Sequence, residues 1–196
     1  MVHDFFVDLY NDSQACSHND DLDKDMFPLF SLKEFKHLSD PFIQDDVKKA
    51  LFNIRPFKAL GPNGFHAGFY QWFWNISGHS FLQVVLGALS RQVLPLELND
   101  TLLVIIPEAE NLECVIQLRP VSLCNVAYKV ISKAIVDHLK PILPRLIAPT
   151  QCSFIPGRQI TDNVAVVQKI LHSLRRKKGN IDSMIIKLDL EKMYDR

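Results

Sequence analysis

The chain has 196 residues, 47% of them hydrophobic and 22% charged, with 22 Lys and Arg against 22 Asp and Glu. That length supports one sizeable core, or one domain with part of another, and the composition excludes a disordered chain. The longest apolar runs, 81–89 and 101–106, fall far short of the roughly 20 residues that cross a bilayer, so no membrane partner is expected.

The even charge balance conceals a gradient. Residues 1–50 carry 5 basic and 11 acidic side chains, whereas residues 111–196 carry 14 and 7. The second part can therefore attract a polyanion that the average hides. Cys16, Cys114, Cys124 and Cys152 form no C-x₂-C pair and no His-associated spacing, so no zinc site is expected and the thiols read as reduced. Acids at Asp4 and Asp8 stand where a secretory leader needs positive charge. A nuclear or cytoplasmic setting is the expectation.

In chain order, residues 1–40 read as a short aromatic helix followed by an acidic, solvated loop. Asp40-Pro41 opens a helix whose apolar stripe is Ile43, Val47, Ala50, Leu51 and Ile54, ended by Pro56. Lys58 to Phe65 is a tight turn in which Pro62 presets φ and Gly64 can take positive φ. It lacks the G-K-[ST] that a phosphate-cradling loop would carry. Phe65, Phe69, Tyr70, Trp72, Phe73 and Trp74 then crowd one helical segment; such rings stack bases in some proteins, but packing into a core is the expectation.

Residues 78–92 predict a buried helix, 95–100 a turn, and Thr101 to Ile106 a short buried strand bounded by Pro107. Leu118 to Asn125 is extended and ends in a capping residue. A helix follows from Val126 to about Leu139, with Val130, Ile131, Ala134, Ile135 and Leu139 inward. Pro141, Pro144 and Pro149 mark a loop. Thr161 or Asp162 caps a helix from Asn163 to about Leu174 whose expected buried face is Val164, Val167, Leu171 and Leu174. Arg175, Arg176, Lys177 and Lys178 close it, as a basic turn suited to the helix dipole or as a nucleic-acid contact. Residues 183–190 predict a strand that brings Asp189 to its C-terminal end, with Asp195 six residues on. Two such carboxylates suit a divalent cation serving phosphoryl transfer. A helix cap and a solvated surface charge are the alternative.

Four phrases carry a resemblance. They are Phe57-Lys-Ala-Leu-Gly-Pro-Asn-Gly-Phe-His66, the stretch Leu118-Arg-Pro-Val-Ser-Leu-Cys-Asn-Val-Ala-Tyr-Lys-Val-Ile-Ser-Lys133, then Gln151-Cys-Ser-Phe-Ile-Pro-Gly-Arg-Gln-Ile-Thr-Asp-Asn163, and Ile186-Lys-Leu-Asp-Leu-Glu-Lys-Met-Tyr-Asp-Arg196. In this order and spacing the chain resembles the reverse transcriptase region of LINE-type (non-LTR) retrotransposons, most closely those of plants. The resemblance implies an α/β, mainly helical chain: a poorly defined segment over 1–40, the fingers of a right-hand polymerase over 41–182, and the first palm strand over 183–196. It implies Asp189 as the first palm carboxylate, ligating Mg²⁺, with Asp195 in support. Arg119 and Arg158, with Lys129 behind them, would approach the incoming deoxynucleoside triphosphate and the template. The implied partners are an RNA template and a DNA primer.

The chain departs from the family at Asn63, where an aspartate is usual, at Glu108, where a lysine is usual, and at Met193, where an alanine is usual. No [FY]-x-Asp-Asp phrase occurs in these 196 residues. Without its two aspartates a two-metal site has one wall, so this stretch is expected to be a partial reverse transcriptase, inactive by itself. The alternative is a non-catalytic remnant that binds RNA through its basic second half.

Overall fold

The structure is a computed structural model and describes residues 2–10, 28–108, 110–176, 184–186 and 188. Its helices are α1 (Val2–Tyr10), α2 (Leu32–Ser39), α3 (Gln44–Phe52), α4 (Ala67–Trp72), α5 (Trp74–Arg91), the short α6 (Leu96–Asn99), α7 (Val126–Leu139), the single turn α8 (Leu143–Leu146) and α9 (Ile160–Arg176). Between α6 and α7 lie the strands β1 (Thr101–Pro107) and β2 (Leu118–Cys124). Two units divide the chain, residues 29–143 and residues 1–28 with 144–196.

The core of the 29–143 unit forms where three amphipathic helices meet. Val47, Ala50 and Leu51 of α3 occupy positions i, i+3 and i+4, which fall on one face of a 3.6-residue helix. They pack with Phe81 and Val85 of α5 and with Val126, Ala127, Val130 and Ala134 of α7. The stripes expected for α3 and α7 are largely the observed ones, although Ile43 and Ile135 at their margins remain exposed. The Ile43 N–H donates to the Asp46 carboxylate at 3.0 Å, which fixes the start of α3 and satisfies one free amide.

Three expectations for this unit are corrected. The loop expected before position 40 contains α2. Ser31 Oγ accepts the Glu34 N–H at 3.3 Å while the Glu34 carboxylate accepts the Ser31 N–H at 2.8 Å, a reciprocal cap written in the sequence as Ser-x-x-Glu. The aromatic segment is only partly a core element: Tyr70 and Trp74 pack against the core as expected, and the other four rings do not. It breaks at Phe73 (φ −102°, ψ 28°) into α4 and α5, and Phe65, Phe69, Trp72 and Phe73 are exposed, with Trp72 at 63%. Consecutive rings point around the helix, so one buried face cannot take them all. β1 is also exposed, apart from a half-buried Ile105. Among the described residues it pairs only with β2, antiparallel, from Thr101 opposite Cys124 to Pro107 opposite Leu118. A two-stranded ladder shields neither of its faces.

In the other unit Cys152 and Ile155 are buried and α9 starts at Ile160, three residues before its expected first residue. Its apolar stripe is present in sequence, but Val164, Val167 and Leu171 are exposed and no residue of α9 is buried, contrary to expectation. Of the strand expected over 183–190, Met184, Ile185, Ile186 and Leu188 carry no regular secondary structure. The rest of it, with Asp189 and Asp195, lies outside the described residues. Among the described residues no helix is long and apolar enough to cross a membrane.

Candidate functional site

The extended phrase that begins Leu118-Arg-Pro folds as β2, which places Arg119 opposite Ile106, next to the loop that joins the two strands. There its Nε donates to Glu108 Oε1 at 2.6 Å, with 71% of the arginine side chain exposed. Glu108 thus pairs with the arginine expected to meet phosphate. An exposed pair of this kind is worth about 0–1 kcal/mol.

At the other end of β2 the chain enters α7, and here the Lys58–Phe65 turn docks. Gly64 takes φ +72°, as its place in the turn predicts, and its N–H donates to the Gly61 carbonyl at 3.0 Å. Gly61 lies against the backbone of Cys124 and Asn125 so closely that a Cβ would stand 2.5 Å from Asn125 N. Asn125 is 3% exposed. It flanks the first turn of α7 in the N-cap position, but its side chain does not cap the helix. Instead Oδ1 accepts the Asn63 N–H at 3.1 Å and Nδ2 donates to the Glu97 carbonyl at 3.2 Å, tying the turn and α6 to the start of α7. Leaving either group unpaired in a buried position would cost about 1–3 kcal/mol. Sequence reasoning reached Asn125 only as a helix cap. Its long-range partners have no signature in local sequence.

One turn further along α7, Lys129 Nζ donates to the Ala59 carbonyl at 2.6 Å. Burial pushes its ammonium below the ordinary lysine value; Cys124 opposes that shift and the neighbouring charge of Lys58 adds to it. Lys58, Lys129 and Lys133 line one groove of about 390 Å³ together with Ser122, Tyr128 and Ser132. Arg119 does not line it, lying five residues before Cys124, roughly 17 Å along an extended strand.

Arg158 sits in the 144–176 segment just after Gly157, which takes φ +79°. Its Nη1 donates to the carbonyls of Ala148 (2.6 Å) and Gln151 (2.8 Å), and its Nη2 to those of Pro144 (2.7 Å) and Ile147 (2.9 Å). The planar fork therefore gathers a proline-marked loop whose carbonyls have no ladder to join. Arg175 and Arg176 are exposed in the last turn of α9, where positive charge complements the helix dipole. Lys177 and Lys178 lie outside the described residues, as do Asp189 and Asp195. Among the described residues no three His, Cys, Asp or Glu side chains gather to hold a metal ion.

Comparison with known proteins bears on the stretch that contains these residues. A family profile described as reverse transcriptase (RNA-dependent DNA polymerase) matches residues 106–196. The chain is also 34% identical, over 172 residues, to the transposon TX1 uncharacterized 149 kDa protein of Xenopus laevis. That match takes in 88% of this chain and 13% of the relative, so the chain spans about an eighth of the protein it resembles. The profile match, the transposon relative and the ordered phrases agree: this chain is part of the reverse transcriptase domain of a non-LTR retrotransposon.

Proposed function

We propose that these residues supply the fingers and the beginning of the palm of a right-hand polymerase whose whole protein copies RNA into DNA from deoxynucleoside triphosphates. The observation that carries this reading is the profile match over 106–196, which encloses Arg119, Lys129, Arg158 and Asp189 within one family phrase order. Reverse transcription needs divalent metal. Mg²⁺ is the ion we assign, with Asp189 as a ligand and Asp195 supporting it, because hard carboxylate oxygens suit that ion. Bound metal would stabilise charge on the transferring phosphoryl group.

The chain's own contribution is electrostatic. Arg119 and Lys129 offset phosphate charge on the nucleotide and template. Arg158, with both of its Nη groups engaged, serves by holding the 144–151 loop in shape. Arg175, Arg176, Lys177 and Lys178 extend the basic surface available to nucleic acid.

Fluorescence anisotropy with a single-stranded RNA tests the reading. Affinity falls as salt rises, with a logarithmic slope of about −0.7 per phosphate neutralised. Arg119→Gln lowers the slope by about one contact. In the same preparation, template-primed nucleotide incorporation is absent. Salt-insensitive binding, or incorporation abolished by Asp189→Ala, would overturn respectively the electrostatic role and the inactivity of this stretch alone.

A further inference from the structure

We propose that the groove between the 58–64 turn and α7 is a phosphate-binding site in which Lys58 and Lys133 act together with Lys129. This deepens the reading above and rests on it for the biological source of the phosphate.

Composition of the groove is the first support. Lys58, Lys129 and Lys133 line it with Ser122, Tyr128 and Ser132, alongside the apolar Ile54, Cys124 and Val136, and no carboxylate is among the lining side chains. Hydroxyls and ammoniums are the side-chain donors that phosphate oxygens accept from. Acids would oppose an anion, and a merely solvated lysine face ordinarily carries them in alternation.

The groove is also built rather than incidental. The close approach of Gly61 to Cys124 and Asn125, the two side-chain bonds of Asn125 and the Lys129–Ala59 bond hold the turn against α7. Lys58 and Lys129 are thereby kept near each other before any ligand arrives, and the lowered basicity of Lys129 registers that proximity together with its burial. Holding like charges together is unfavourable in the empty site. A bound phosphate reverses the sign of that interaction, so the groove favours a polyanion without having to assemble on contact.

Lys133 is held by Asp137 at 3.4 Å, one helical turn along α7. Asp137 also accepts a hydrogen bond from Lys140. Burial raises the Asp137 carboxyl, and the Lys140 bond together with the Lys133 and Lys140 charges more than offset this, so the group titrates below the ordinary aspartate value. With Lys140 already partnering that carboxylate, Lys133 can turn towards the groove without leaving Asp137 unpaired.

The probe is inorganic tripolyphosphate, titrated calorimetrically at low salt into the full chain, alongside a single-stranded RNA. The Lys58→Gln/Lys133→Gln variant binds tripolyphosphate at least tenfold more weakly than the unaltered protein, with an unchanged melting curve. A charge-matched control, Lys33→Gln/Lys36→Gln on α2, binds within twofold. Lys58→Gln alone, with an unchanged melting curve, moves the titration of Lys129 upward in the absence of ligand, a change read by side-chain NMR.

Failure of the unaltered chain to bind tripolyphosphate overturns the site. Equal weakening by the control overturns it too, because net charge would then suffice. If the groove variant loses tripolyphosphate and RNA alike, the source is a polynucleotide backbone. Loss of tripolyphosphate alone assigns the site to a nucleotide triphosphate. RNA binding by the unaltered chain without any tripolyphosphate binding, or tripolyphosphate binding undiminished in the groove variant, overturns the groove and leaves the function proposed above standing.

Discussion

Arginine plays two distinct parts in this chain, and geometry separates them. Arg119 makes an exposed contact to Glu108 that a phosphate can displace, whereas Arg158 donates to four carbonyls of one loop. A planar fork can serve carbonyls on several sides at once, which a single ammonium cannot. Arg158→Lys should therefore lower stability by about 1–3 kcal/mol, the range for losing hydrogen bonds to a charged donor. Chemical denaturation reads that loss. The salt dependence of RNA binding should stay as it was, since the guanidinium is engaged internally. A slope reduced by one contact would instead make Arg158 a phosphate ligand.

At the scale of elements, the junction of turn, β2 and α7 depends on backbone meeting backbone. A methyl group at position 61 would lie 2.5 Å from Asn125 N and from Cys124 C, and neither atom can swing aside as a side chain would. Gly61→Ala should cost about 1–3 kcal/mol, as overpacking does, and should weaken tripolyphosphate binding because the turn must back away from α7. A melting temperature and affinity both unchanged would show that the contact is not required.

The helices of this region were legible because one-sided burial leaves a period in the sequence. Val47, Ala50 and Leu51 announce α3, and the run from Val126 announces α7 to the residue. The cap of α2 was equally written, in Ser31 and Glu34, and Leu32, Phe35 and Leu38 recur at helical spacing, although the helix buries no residue. Exposure was the property sequence could not supply. The rings from Phe65 to Phe73, β1 and α9 are as apolar as core elements, and whether anything covers them depends on neighbours that local pattern does not encode. The charged groove is a long-range product too. Lys58 and Lys129 are 71 positions apart, and only the docked turn brings them together.

For the whole molecule, two features act in opposite directions. Acidic and basic side chains are segregated along the chain, which favours association with polyanions through the second part. Much of the described surface is also apolar: Phe57, Phe65, Trp72 and Ile76 around α4, Leu102 and Ile106 on β1, and Val166 and Ile170 on α9 are all exposed. Scattered apolar residues are normal on a surface, but several neighbouring ones mark an interaction face. The isolated chain should therefore self-associate at micromolar concentration, and added salt should strengthen that association while weakening RNA binding. Sedimentation velocity at two ionic strengths distinguishes the cases. A monomer at both would mean the apolar faces do not attract one another.

The Asn63 side chain shows how a substitution can be silent in shape yet expressed in charge. Its Oδ1 accepts the Phe65 N–H at 3.2 Å inside the turn, while its backbone N–H donates to Asn125. An aspartate, the residue the resemblance leads one to expect here, offers the same acceptor oxygen and the same backbone amide, so the bonds to Phe65 and Asn125 are indifferent between the two, while the bond between the Asn63 side chain and Tyr70 is not. What differs is one unit of negative charge, carried on the segment that brings Lys58 to Lys129. The amide thus keeps the two bonds of the turn, holds Tyr70, and leaves the segment that carries Lys58 without that charge.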